Sequence, residues 1–123
     1  MQSAQGIEVK SFEAPDETRQ FEGKGNARLV HIAGRPVSMG TFEPGWRWST
    51  NLKPIAGTPS CRMSHLGFVL QGSMRIIMDN GAEQILTPGE AVAIAPGHDA
   101  EVIGSEPCVF LDFGEIEEYA KKH

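Results

Sequence analysis

The sequence predicts an all-β domain, and three observations predict it. Glycine and proline are dense: 14 Gly and 8 Pro are about 18% of the 123 residues, against roughly 12% in average proteins. They are also spread evenly, so that between Gly34 and Gly114 no stretch free of both exceeds eight positions. An ordinary helix is about 11–12 residues long and an interior proline costs it ~3 kcal/mol, whereas a strand needs only about five or six. Finally, the segments between these breakers read as short strands at regular spacing. A helical bundle is excluded, and so is a βαβ sheet, whose crossovers need helices.

The elements follow in chain order. Residues 1–24 read as an edge strand at 7–12 plus an exposed arm at 14–19, and residues 25–114 read as the barrel or sandwich itself. Strands are expected at 28–32, 37–42, 65–71, 73–78, 84–86, 91–95, 101–103 and 108–113. Asp79-Asn80-Gly81 supplies the Asn-Gly pair of a tight hairpin, in which both central residues need positive φ. Residues 115–123 read as a tail or one short helix, with acids early and lysines late as the helix dipole prefers. In Ala91-Val92-Ala93-Ile94-Ala95, Val92 and Ile94 share one face and three alanines the other. That small-residue face leaves room for a cavity or for a closely approaching sheet.

Composition narrows the function classes. The chain is 40% hydrophobic and 22% charged with a net charge of −5, which is globular rather than disordered. The acidic balance removes the drive toward phosphate backbones, so no nucleic acid is expected. No apolar run approaches the ~18 residues of a membrane span, and the first residues carry no basic-then-apolar secretory pattern. A cytoplasmic protein is the expectation, with Cys61 and Cys108 as free thiols.

Of the four histidines, His123 is terminal and His31 lies mid-strand, so His65 and His98 are the candidates. Each is close to a glycine: His65-Leu66-Gly67 and Pro96-Gly97-His98. A metal site needs three or four donors converging on ~2.0–2.3 Å bonds, and Cys61 is the natural third. Along an extended strand Cys61 and His65 would stand ~13 Å apart at ~3.3 Å per residue. They converge only if Arg62-Met63-Ser64 forms a corner between two strands.

His65-Leu-Gly-Phe-Val-Leu-Gln-Gly72, the Asp79-Asn-Gly81 turn and Leu86-Thr-Pro-Gly-Glu-Ala-Val-Ala-Ile-Ala-Pro-Gly-His98 together resemble the two core motifs of a small single-domain cupin. Glu43-Pro-Gly-Trp-Arg-Trp-Ser49 resembles the segment that precedes the first motif. The resemblance covers roughly residues 35–113. It implies an antiparallel jelly-roll β-barrel, a homodimer, and an interior pocket that in many relatives holds a metal. Matching the motifs places His65 where the family has Glu, Cys61 or Ser60 at a histidine position, and Ala100 at the last histidine position, with His98 two residues early. Residues i and i+2 share a face, so His98 can still point inward.

Two readings of the site follow. In one, Cys61, His65 and His98 bind a divalent metal, zinc first and iron next, because thiolate and imidazole favour these over manganese. In the other they are a small buried cysteine and two pocket histidines with no ion. Two functional classes stand beside each other as well. One is an enzyme of isomerase, lyase or oxygenase type acting on a small molecule, with His65 and His98 as candidate acid–base groups. The other is a non-catalytic module sensing a ligand or metal in an apolar pocket of Trp46, Trp48, Phe68, Met74 and Met78. Arg47 and Arg62 are weighed as anchors for an anionic ligand against ordinary ion pairs.

Overall fold

The computed structural model describes residues 6–114. These form nine strands: β1 (Glu17–Gln20), β2 (Gly25–Ile32), β3 (Arg35–Phe42), β4 (His65–Gln71), β5 (Ser73–Met78), β6 (Glu83–Leu86), β7 (Ala91–Ile94), β8 (His98–Ile103) and β9 (Cys108–Asp112). All pairings are antiparallel. The larger sheet runs β1-β2-β3-β9-β4-β7 and the smaller runs β6-β5-β8. This is the all-β, double-sheet barrel that the breaker spacing and the motifs predict.

Period-two alternation decides which side chains enter the barrel. On β4, His65, Gly67 and Val69 are buried while Leu66, Phe68 and Leu70 face out. On β9, Cys108, Phe110 and Asp112 are the inward set. The core between the sheets combines Leu29, Phe42, Val69, Ile76, Leu86 and Phe110, each such burial contributing about 1.5–3 kcal/mol. Gly67 permits the close approach of β4 and β9. A Cβ there would lie 1.9 Å from the Leu111 carbonyl oxygen, so Gly67 belongs to a strand rather than to a turn.

The structure corrects several expectations. Apart from a bridge at Ile7, residues 7–12 form no strand, and the edge strand is β1, which overlaps the end of the stretch read as an arm. Pairing partners rather than apolar content decide this. The Asp16 amide donates to the Leu29 carbonyl at 2.9 Å and its carboxylate accepts the His31 amide at 2.7 Å, which sets the Glu17↔Leu29 register. Strand β8 begins at His98, because Gly97 (φ 92°) turns the chain straight into the Met78↔His98 pairing.

Two single helical turns occupy the window between Gly45 and Gly57: α1 (Trp48–Asn51) and α2 (Lys53–Ala56). Side chains from elsewhere close them. Asp99 accepts the Ser49 amide at 3.0 Å, Asn51 bonds the Arg47 amide at 3.0 Å and the Glu22 carbonyl at 2.7 Å, and Gly57 (φ 74°) ends the second turn. Trp46 precedes the first of these turns and Trp48 opens it, and both are buried.

The alanine face of β7 is exposed on the outside of the barrel, where Ala91 and Ala93 line an open groove with Gln84, Ile85 and Glu90, and no second sheet covers it among the described residues. The short helix expected at 115–123, with His123, lies outside the described residues. Among those described, no helix is long and apolar enough to cross a membrane.

Candidate functional site

The two sheets deliver one histidine each. His65 opens β4 on the larger sheet and His98 opens β8 on the smaller, both pointing into the barrel and both buried. Their ring centroids are 5.2 Å apart with the planes at 68°. Cys61 lies outside the strands, but a single antiparallel bridge ties it to His98. The Cys61 amide donates to the His98 carbonyl at 2.7 Å, and the Gly97 amide donates to the Cys61 carbonyl at 2.7 Å. Residues 62–64 then make the corner that carries the chain across to β4, as convergence requires. One donor atom from each of Cys61, His65 and His98 lies within 4.8 Å of the others.

Both imidazoles are held from behind. The Nδ1 of His65 donates to Asp112 Oδ2 at 2.6 Å, and the Nδ1 of His98 donates to the Ala95 carbonyl at 2.8 Å. A carbonyl and a carboxylate can only accept, so each ring keeps its proton on Nδ1 and presents Nε2. Metal-ligating histidines are oriented in this way. The His65 Nε2 faces the Cys61 Sγ at 3.6 Å.

The electrostatics match the geometry. Burial pushes the Cys61 thiol up, yet the hydrogen bonds and charges of His65 and His98 outweigh it and bring it from 9.0 down to about 6. Burial opposes the His65 imidazolium, yet Asp112 first and Cys61 second raise it from 6.5 to about 9. Without an ion, the site is a thiolate–imidazolium pair backed by a carboxylate.

The donor set suits an ion such as zinc. Bonds of about 2.3 Å to sulfur and 2.0 Å to nitrogen in a tetrahedron put those two donors about 3.5 Å apart, close to the 3.6 Å found between Cys61 and His65. Sulfur and nitrogen donors without a carboxylate favour zinc, then iron. The three residues line a cavity of about 40 Å³.

Trp46, Trp48 and Met74 join His65, His98 and Cys61 in lining this cavity. Phe68 does not, because it faces outward on β4. Met78 packs against the core as a half-buried residue but lies outside the lining. Arg47 is tied to Asp99 at 3.2 Å and Glu101 at 2.7 Å, and Arg62 pairs with Asp79 at 3.5 Å. His31 is exposed on β2.

Two polar lining residues are not among the candidates read from the sequence, Asp112 and Ser38. They are register partners across β3 and β9. The signal for Asp112 was its place in the alternation with Cys108 and Phe110, which puts a carboxylate on an inward face.

The topology is that of the cupin fold, and the comparison with solved structures agrees. A sugar phosphate isomerase of the cupin superfamily from Silicibacter pomeroyi is 21% identical, with a TM-score of 0.61 over 87% of this chain and 74% of that one. The polyketide cyclase RemF from Streptomyces resistomycificus is 18% identical, with a TM-score of 0.62 over 88% and 78%. A Klebsiella pneumoniae protein with a double-stranded β-helix domain is 19% identical, with a TM-score of 0.56 over 85% of each chain. At these identities the likeness is one of fold. No protein-family model matches the chain, and no curated protein does.

Proposed function

We propose that the barrel is a metal centre that binds a small molecule, with Cys61, His65 and His98 holding one divalent ion, zinc before iron. The observation that carries this reading is the joint orientation of the three donors. They come from a corner and two sheets, yet they fall within 4.8 Å of one another with both Nδ1 atoms already engaged. When bound, the ion would act as a Lewis acid toward a ligand oxygen, the chemistry an isomerase or lyase draws on. As ligands, His65 and His98 are not free to exchange protons with a substrate, and Asp112 acts by holding His65 in its tautomer. Asp112 is engaged with His65, so the two-histidine, one-carboxylate set of iron oxygenases is not the set favoured here.

The enzyme names carried by the sugar phosphate isomerase and the polyketide cyclase fit this reading without choosing the reaction. The small cavity, about 40 Å³, favours a second reading, a sensor that binds the ion with a water or a ligand head group and turns nothing over. Elemental analysis of the purified chain tests the centre itself. About one ion per chain, with a thiolate-to-metal charge-transfer band on cobalt substitution, supports it. No ion after incubation with zinc or iron salts, or cobalt bound without that band, overturns it. A stoichiometric ligand carried through purification unchanged would favour the sensor.

A further inference from the structure

Alternation gives each sheet an outer face as well as an inner one, and the two outer faces differ in character. On the smaller sheet the outward positions include paired charges. Arg75 meets Glu101 at 2.7 Å and Glu83 at 3.5 Å, and Glu101 also takes Arg47 at 2.7 Å. That is the solvated face an antiparallel sheet commonly keeps.

On the larger sheet, β3, β9, β4 and β7 lie side by side, and their outward positions are apolar. The register aligns Met39 with Leu111, Leu111 with Phe68 and Phe68 with Ala91, one row across all four strands. The next row joins Phe113, Leu66 and Ala93. The Phe113 amide donates to the Leu66 carbonyl at 2.7 Å, and Leu66 pairs with Ala93. Leu66 is 58% exposed, Phe113 51%, Leu70 44% and Phe68 37%. Among the described residues of these four strands, Arg35, at the hairpin end of β3, is the one outward residue with a charge.

Single exposed apolar side chains are ordinary, but a contiguous patch of them marks an interaction surface. With strands ~4.8 Å apart and ~3.3 Å per residue, four strands by about five residues make a flat face of roughly 300 Å². That suits the apolar centre of an interface of ~800 Å² per partner, whose remainder is polar rim. Charge says which partner fits. The chain carries −5 at pH 7, so two copies repel where their charged surfaces meet. This face presents them with almost nothing to repel, and it offers a partner chosen by charge nothing to read. Twisted sheets pack face to face with their strands aligned, and a two-fold axis makes one patch complementary to itself.

We infer that the outer face of the larger sheet is the contact between two copies of this chain, a sheet-on-sheet dimer centred on Phe68 and Leu111. These residues lie on the opposite side of β4 and β9 from His65 and Asp112, so the inference stands apart from the metal-centre reading.

Sedimentation equilibrium of the full chain tests it. A particle of twice the chain's mass is expected at micromolar concentration, and added salt should tighten it by screening the repulsion between acidic copies. Phe68→Glu should weaken the dimer about 100-fold or more, because its charge is buried without a partner. Phe68→Ala, a milder change at an exposed position, should weaken it about tenfold. Ile77→Lys, outward on the smaller sheet between Glu83 and Asp99, should keep it. Circular dichroism and urea midpoints check that each variant is folded. A wild-type monomer at every concentration, a dimer that every folded Phe68 variant leaves intact, or one lost equally in Ile77→Lys overturns the inference. So does a monomer that floats with phosphatidylcholine vesicles, which assigns the face to a neutral bilayer instead.

Discussion

Cys61 sits in the corner between the two sheets and is 2% exposed; Cys108 sits in the β3–β9 ladder opposite Phe42 and is 1% exposed. By burial the two thiols are equivalent. Their neighbours are not. Burial is the cause acting on Cys108, and it pushes that thiol up to about 11, while two histidines pull Cys61 down to about 6. Enclosure therefore makes a cysteine inert or reactive according to what is enclosed with it. Both thiols belong to one core, so each serves as the control for the other.

The largest contrast concerns the ion. Cys61→Ala, His65→Ala and His98→Ala should each lower bound zinc from about one per chain to a small fraction, because removing one of three protein ligands leaves too few donors. Cys108→Ser should keep the full ion and lose stability instead. A hydroxyl left unpaired in that apolar ladder costs about 1–3 kcal/mol, read as a lower urea midpoint at unchanged slope. Zinc lost equally from the Cys108 and Cys61 variants would break the comparison.

Asp112→Asn comes next. The amide keeps the shape but not the charge that holds the Nδ1–H of His65 at 2.6 Å. Loss of such an outer partner typically weakens metal binding by about 10–100-fold. Competition with a chromophoric chelator measures it, and an unchanged affinity would show that packing alone orients His65.

The fold was legible because glycine and proline confine helices, and because apolar alternation survives in β4 and β5, whose limits the sequence gives to the residue. The first strand was missed because Ile7 and Val9 are apolar yet find no ladder, while Glu17 and Arg19 do. Trp48 could be named as a pocket residue but its helical turn could not be read, because that turn is capped by Asp99, some fifty residues away in sequence. At the site, Cys61, His65 and His98 could be named from residue type and spacing. Their convergence could not, because it depends on the bridge between Cys61 and His98 and on the corner at 62–64. Asp112 stands forty-seven positions from the histidine it holds, and only the β4–β9 register brings the two together.

The smallest effect is the most direct reading of the two thiols, a titration of thiolate absorbance in metal-free protein. Rising pH should produce one thiolate with a midpoint of about 6 and the other only toward about 11, and Cys61→Ser should remove the first step. Stability follows with opposite signs. Cys61 titrates below its unfolded value of 9.0, so its ionisation favours the folded chain, and that contribution is lost as the pH falls through about 6. Cys108 titrates above 9.0, so the unfolded chain ionises first and stability is lost as the pH climbs from 9.0 toward 11. In Asp112→Asn the His65 imidazolium loses its main support, and the lower midpoint should move up by about 1 unit or more. A midpoint that stays at about 6 in that variant would mean that His98 alone stabilises the thiolate, which would leave Asp112 with no part in the contrast.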